Sequence, residues 1–148
     1  MITENHFRAL ERMHQKANCN QDIAKDLTIT ITAGRAEIIL PMRPDFYHAA
    51  KAVHGFVYFK MLDEAGFFAA NSLVEDVFVL TANYHCQLLR PIETGVMRAV
   101  GTVVNATKSQ IIADSVLYND AGKELARGTG TFMRGRTALD EKIGYVLS

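Results

Sequence analysis

The spacing of hydrophobic residues changes period twice along the chain. Between Thr3 and Ala17, the residues Phe7, Leu10, His14 and Ala17 recur at intervals of three and four with charged residues between them. This predicts a short amphipathic helix with Thr3 as its N-cap. The run Leu27-Thr-Ile-Thr-Ile-Thr then alternates apolar and polar positions, and Ala33-Gly34 leads into Ala36–Leu40, whose composition also suits a strand. Together they predict a β-hairpin. Pro41 and Pro44 close it, because proline has no N–H for a ladder, so the segment to Ala52 is expected to be a loop or a short helical turn.

Val53–Asn71 returns to helical spacing, now with apolar residues around most of the circumference, which predicts a long buried helix. From Val77 the period shortens again. Val77–Leu89, Gly95–Thr107, Ser109–Tyr118 and Lys123–Arg134 are rich in Val, Ile, Thr and Tyr. The segments between them, Arg90–Gly95, Ala106–Lys108 and Asn119–Gly122, have turn chemistry, so four antiparallel strands in meander order are expected. Thr137–Ser148 reads as a tail. The expected fold class is α+β: one domain over residues 1–148, with an N-terminal helix in 1–20 and a core in 24–134 where an antiparallel sheet curls around the long helix. A sheet covers a helix on one side only. A helix apolar nearly all round therefore calls for a second copy of the chain, and a homo-oligomer is expected.

Composition mainly excludes partners. Hydrophobic residues make up 49% of the 148 positions and charged residues 22%, an ordinary globular mixture. Sixteen basic residues balance sixteen acidic ones, which removes the electrostatic case for nucleic acid or an anionic membrane. No apolar run reaches the roughly 18 residues of a membrane span, and the first residues lack the basic-then-apolar pattern of a signal peptide. Cys19 and Cys86 lie far apart without metal-ligand spacing, consistent with a reducing, cytoplasmic setting. No metal and no separate cofactor are expected.

The candidate chemistry sits in the long helix. A carboxylate inside an apolar run is costly unless it has a partner or a task, and this run carries Asp63 and Glu64. At the start of the helix, unpaired N–H groups and the positive end of the dipole favour an oxygen that turns negative during reaction. Gly55 stands there with no side chain to block approach, and His54 beside it can donate a further hydrogen bond. Asp63 follows His54 by nine positions, roughly 13 Å along the axis and about half a turn round it. One helix cannot bring both to one carbonyl. Two antiparallel helices from two subunits can, with Asp63 of one facing the Gly55 N–H of the other.

These residues resemble the hotdog-fold acyl-CoA thioesterases, in the PaaI-like (phenylacetate-degradation-type) branch related to 4-hydroxybenzoyl-CoA thioesterases. The resemblance spans Ala24–Arg134 and rests on His54-Gly55, the acid in Leu62-Asp63 and the long strand that ends in Arg90-Pro91. It implies hydrolysis of an acyl thioester to a carboxylic acid and free CoA by a dimer or dimer of dimers, CoA being part of the substrate. Asp63 would be nucleophile or general base, the Gly55 amide the oxyanion donor, and His54 a group that orients or polarises the carbonyl. Thr81 falls where relatives place a residue that positions water or substrate. His48 stands where they often carry an amide, and Phe56 where many have a second glycine. CoA would lie along Asn105–Gln110 and the end of the last strand, where Asn105, Lys108, Ser109 and Arg134 offer polar groups.

Competing readings keep other roles open. Asp63 could be a structural carboxylate paired with Lys60, and Glu64, turned about 100° from it, could be a rim carboxylate or a substitute base. Phe56, Phe59, Phe67 and Phe68 suit packing as well as an acyl pocket. Cys86 reads as a small buried hydrophobe, His85 as a strand surface residue, and His6 and His14 as first-helix residues without metal-binding spacing. A non-catalytic acyl-CoA-binding module and a hotdog hydratase-dehydratase are the functional alternatives.

Overall fold

The computed structural model describes residues 1–148. Helix α1 (Glu4–Lys16) opens the chain, followed by β1 (Thr28–Thr32) and β2 (Arg35–Pro41). Helix α2 (Gly55–Asn71) then precedes β3 (Val77–Leu88), β4 (Val96–Ala106), β5 (Gln110–Tyr118) and β6 (Glu124–Ala138). The hairpin turns on two residues, Ala33 and Gly34, with Gly34 at φ +70°, a conformation that glycine adopts without a Cβ penalty. In β1 and β2 the apolar alternation buries Ile29, Ile31, Ala36, Ile38 and Leu40 on one face, as a half-covered sheet requires.

All six strands form one antiparallel sheet in the order β1-β2-β4-β5-β6-β3. The four later strands are therefore not a simple meander: β3 pairs with β6 at the far edge, and β4 pairs with β2. Alternation marks a strand and its inward face but carries no information about its neighbour. That was decided by α2, which lies across the sheet and carries the chain from β2 to the opposite edge before β3 begins.

The sheet wraps α2 in the hotdog arrangement. Met61, Leu62, Ala65 and Ala69 of α2 are fully buried, as are Ile38, Met97, Ala99, Ala113 and Ala126 of the sheet. Gly101 sets the closest approach. A Cβ built there would stand 2.2 Å from the Ala65 carbonyl oxygen, so only glycine lets the helix backbone rest on β4.

The C-terminal segment is not a free tail. β6 continues to Ala138, a short 3₁₀ turn occupies Glu141–Ile143, and Tyr145 is buried. The Tyr145 hydroxyl pairs with His6 Nδ1 at 2.7 Å, while His6 Nε2 donates to the Asn71 carbonyl at 3.0 Å. His6 thus ties α1, the end of α2 and the C-terminus together, a role that helical spacing in α1 could not reveal. No helix is long and apolar enough to cross a membrane.

Candidate active site

Helix α2 is less uniformly buried than its composition suggests. Eleven of its seventeen residues are buried, and the rest leave a stripe in which Phe56 (44% exposed) and Phe59 (43%) flank the half-buried Lys60 and Asp63. The intervals of three and four between these residues place them on one helix face. Beside this stripe runs β3, an edge strand of twelve residues with Leu80 and Leu88 exposed. Its outer N–H and C=O groups have no neighbouring strand, an edge that proteins usually cover.

Asp63 faces β3. Thr81 Oγ1 donates to Asp63 Oδ1 at 2.9 Å, which fixes the carboxylate on one side and leaves Oδ2 for other partners. Burial raises the Asp63 pKa above the ordinary carboxylate range; the Thr81 hydrogen bond opposes that shift, the nearby Glu64 charge adds to it, and Lys60 opposes it weakly. A raised carboxylate is a stronger base once ionised, which suits proton abstraction near neutral pH. Near it, Tyr84 packs edge-on against Phe59 with ring centroids 5.6 Å apart. Burial pushes its pKa up to about 12; the Ser115 hydroxyl beside it opposes that shift, and nearby ionisable groups, Asp63 among them, add to it.

The pairing of Asp63 with Lys60 is not found. Lys60 Nζ instead reaches Glu64 Oε1 at 2.5 Å and Asn20 Oδ1 at 2.7 Å, and His14 Nε2 holds Glu64 Oε2 at 2.7 Å. Lys60 has Asp63 at i+3 and Glu64 at i+4 within reach; Thr81 of β3 holds the Asp63 carboxylate, and Lys60 pairs with Glu64. Burial acts to raise the Glu64 carboxyl. The hydrogen bonds and charges of His14 and Lys60 outweigh it and hold Glu64 below the ordinary range. With both oxygens occupied, Glu64 is not poised to replace Asp63 as a base.

The helix start is organised by its capping residue. His54 is the N-cap of α2, and its Nδ1 accepts the Phe56 N–H at 2.9 Å. An accepting Nδ1 carries no proton, so the proton of the neutral ring is on Nε2, the nitrogen left to donate. The Gly55 N–H, one residue earlier, has no acceptor within the chain. It borders a cleft of about 280 Å³ with His48, Tyr58, Leu88, Arg90 and Pro91. The Tyr58 hydroxyl donates to the Arg90 carbonyl at 2.8 Å and so fixes the strand end beside the helix start. The His48 ring accepts from the Ala50 N–H through Nδ1 and stands 6.3 Å from the His54 ring.

Within one subunit, then, the expected residues fall in separate places. Asp63 and Thr81 line a cleft of about 420 Å³, whereas Gly55 and His48 line the smaller one about 12 Å away along the helix. Lys108, Ser109 and Arg134 do meet, in a third cleft of about 490 Å³ with Thr107 and Gln110, although Arg134 is already ion-paired with Asp76. Asn105 is exposed on β4 and lies outside that cleft. Phe56 lines a separate cleft with Arg43, Asp45 and Phe46, its ring 5.3 Å from that of His54. Cys86 is only half-buried. His14 was missed as part of the site's surroundings. The signal for it was a histidine in the apolar stripe of α1, which needs a buried partner. No group of three or more His, Cys, Asp or Glu side chains is placed to hold a metal ion.

A six-stranded antiparallel sheet wrapped around one long helix is the hotdog fold. The family model for the thioesterase superfamily matches residues 50–126, just over half of the chain, and the chain belongs to that superfamily. Among proteins of similar sequence, one from Saccharolobus solfataricus named as an esterase is 22% identical over 139 residues, covering 94% of this chain and 99% of that protein. Among solved structures, the PaaI protein of the E. coli phenylacetic acid degradation operon superposes with a TM-score of 0.82 at 18% identity, covering 93% of this chain and 99% of that one. A thioesterase from Haemophilus influenzae gives 0.74 at 15% identity, covering 86% and 88%. At these identities the structural likeness shows the fold.

Proposed function

We propose that this protein is an acyl-CoA thioesterase of PaaI-like type, acting as a homodimer or dimer of dimers, in which Asp63 of one subunit and the Gly55 amide of its partner flank the scissile carbonyl. One observation carries the reading: the acid with its Thr81 hydrogen bond and the free Gly55 N–H lie about 12 Å apart on one helix. The exposed stripe of Phe56 and Phe59, together with the open edge of β3, gives a second copy a surface to cover.

In this mechanism Asp63 takes a proton from water as the water oxygen adds to the thioester carbon, or adds to that carbon itself and is released by water later. The carbonyl oxygen becomes negative and accepts from the partner's Gly55 N–H, with the N-capping His54 holding that helix start in shape. The C–S bond then breaks, the proton passes to the leaving sulfur, and a carboxylic acid and CoA thiol result. Lys108, Ser109 and Arg134 supply cation and hydroxyl donors for the CoA phosphates. Arg134 shares its guanidinium with Asp76 or exchanges that partner for phosphate.

Complementation between two inactive chains tests the arrangement across subunits. Asp63→Asn removes the base. Gly55→Pro removes the N–H at a first helical position that tolerates proline, behind a residue that is already extended (His54 φ −67°, ψ 147°). Each variant alone should release no thiol from acyl-CoA. Mixed dimers restore one intact site in each heterodimer, so random reassortment should recover about a quarter of wild-type activity. Complete silence of the mixture, with heterodimers present by mass spectrometry, would place the site within one subunit. A wild type that binds acyl-CoA without releasing thiol would mark a binding module.

A further inference from the structure

The cleft beside Asp63 is built from two sources. Asp63, Glu64, Phe67, Phe68, Phe78 and Thr81 come from α2 and β3, inside the stretch that the thioesterase superfamily model matches. The opposite wall comes from outside that stretch: Met13 and Ala17 from α1 and its exit, Cys19 and Asn20 from the next turn, and Thr137 and Ile143 from the C-terminal segment.

This wall is fixed to the helix that carries the acid. His14 is almost fully buried, donates to Glu64 and stacks edge-on against Phe68 with centroids 5.1 Å apart. Lys60 joins Glu64 to Asn20, whose amide in turn donates to the His14 carbonyl at 2.7 Å. On the other side, His6 and Arg12 hold the C-terminal segment through Tyr145 and the Val146 carbonyl. The cleft volume of about 420 Å³ is near the lower end of small-molecule sites, roughly 300–1,000 Å³, and most of the residues facing it are apolar. Its polar residues are the Asp63–Thr81 corner, Thr137 and the clasp side chains His14, Asn20 and Glu64.

We infer that this cleft receives the acyl group of the substrate and that the two terminal segments, through Ala17 and Ile143 in particular, set the length of chain it accepts. The inference rests on the thioesterase reading for its substrate and adds to it the residues that select among acyl groups. The superfamily stretch carries the reacting groups. The flanking wall, held by the His14–Glu64–Lys60–Asn20 clasp, determines how far an apolar chain extends past Asp63.

Two substitutions of opposite sign test this. Ile143 is half-buried and Ala17 half-exposed, so neither change removes a fully buried core side chain. Ile143→Ala deepens the cleft and Ala17→Phe fills it. Their specificity is read as kcat/KM over straight-chain acyl-CoAs from butyryl to palmitoyl. Ile143→Ala should move the preferred length upward and Ala17→Phe downward, each changing the long-to-short ratio by about tenfold, the effect of one or two methylenes in an apolar pocket. The same acyl-CoAs are titrated by calorimetry into Asp63→Asn carrying either change. A shift in binding preference without hydrolysis by the wild type would support the pocket and overturn the thioesterase reading. Hydrolysis by the wild type with a length profile that neither substitution moves would overturn the pocket and leave the thioesterase reading standing. Absence of both hydrolysis and acyl-CoA binding would overturn both.

Discussion

Thr81 on the edge strand β3 donates its hydroxyl hydrogen to Asp63 at mid-helix in α2, 2.9 Å away, and this bond holds one carboxylate oxygen and moderates the basicity that burial gives the candidate base. It joins the long helix to the strand that follows it in the chain. Because the bond favours the ionised carboxylate, it works against the burial that raises the Asp63 pKa.

Thr81→Val should therefore raise the Asp63 pKa further. The acid limb of the kcat/KM profile moves to higher pH, and activity at a pH on that limb drops about fivefold, the effect of losing one hydrogen bond worth roughly 1 kcal/mol. Raising the pH should recover part of the loss. A pH profile of thiol release checks it; an unshifted acid limb would show that the hydroxyl does not control the titrating group.

Asp63→Asn should lower turnover by at least about 10³-fold. Its effect on stability has a definite sign. A carboxyl whose pKa is raised on folding holds a proton that the unfolded chain has already lost, so folding stability declines as pH rises through the interval between the ordinary and the raised value. The aspartate is thus a destabilising charge at neutral pH. The variant should melt at or above the wild-type temperature at neutral pH and lose that advantage below the ordinary carboxylate range. Thermal melts across pH give the comparison, and a strongly destabilised Asn variant at neutral pH would contradict it.

Glu64 has the opposite linkage. Its pKa is lowered on folding despite burial, so its contribution is present above the ordinary glutamate range and fades as pH falls through the lowered value. Glu64→Gln removes charged hydrogen bonds from His14 and Lys60 and should cost about 2 kcal/mol at neutral pH. Denaturant unfolding at neutral and acidic pH should show the difference narrowing in acid. If Glu64 were instead a reserve base, Glu64→Gln would lower kcat without a matching loss of stability.

Gly101→Ala should destabilise the fold by about 3 kcal/mol, because the added methyl meets the Ala65 carbonyl at 2.2 Å and helix backbone cannot yield as a side chain can. Gly122→Ala offers a contrast: its turn has open space, so the cost there comes only from φ +78°. Equal effects of the two changes on the melting temperature would remove the case for close helix-sheet contact at Gly101.

The chain's own pattern was enough for its elements and its class. Alternation in Thr28–Thr32 and Arg35–Pro41, turn chemistry at Ala33-Gly34, and the long apolar run into Asn71 are local properties, and the helix and strands appear close to where period and composition put them. The distance between His54 and Asp63 along a helix is also local, which is why a site shared between subunits could be argued before any coordinates. Strand neighbours, by contrast, depend on where α2 carries the chain, and β3 went to the far edge beside β6. Side-chain pairing across elements was equally hidden. The partner of Glu64 is His14, fifty residues earlier, and that of Asp63 is Thr81, eighteen later. Residues 137–148 were unreadable for the same reason: their apolar positions are few and gain meaning only where His6 and Arg12 meet them. Sequence fixes what each segment can be through spacing along the backbone; only tertiary packing decides which buried polar groups satisfy one another.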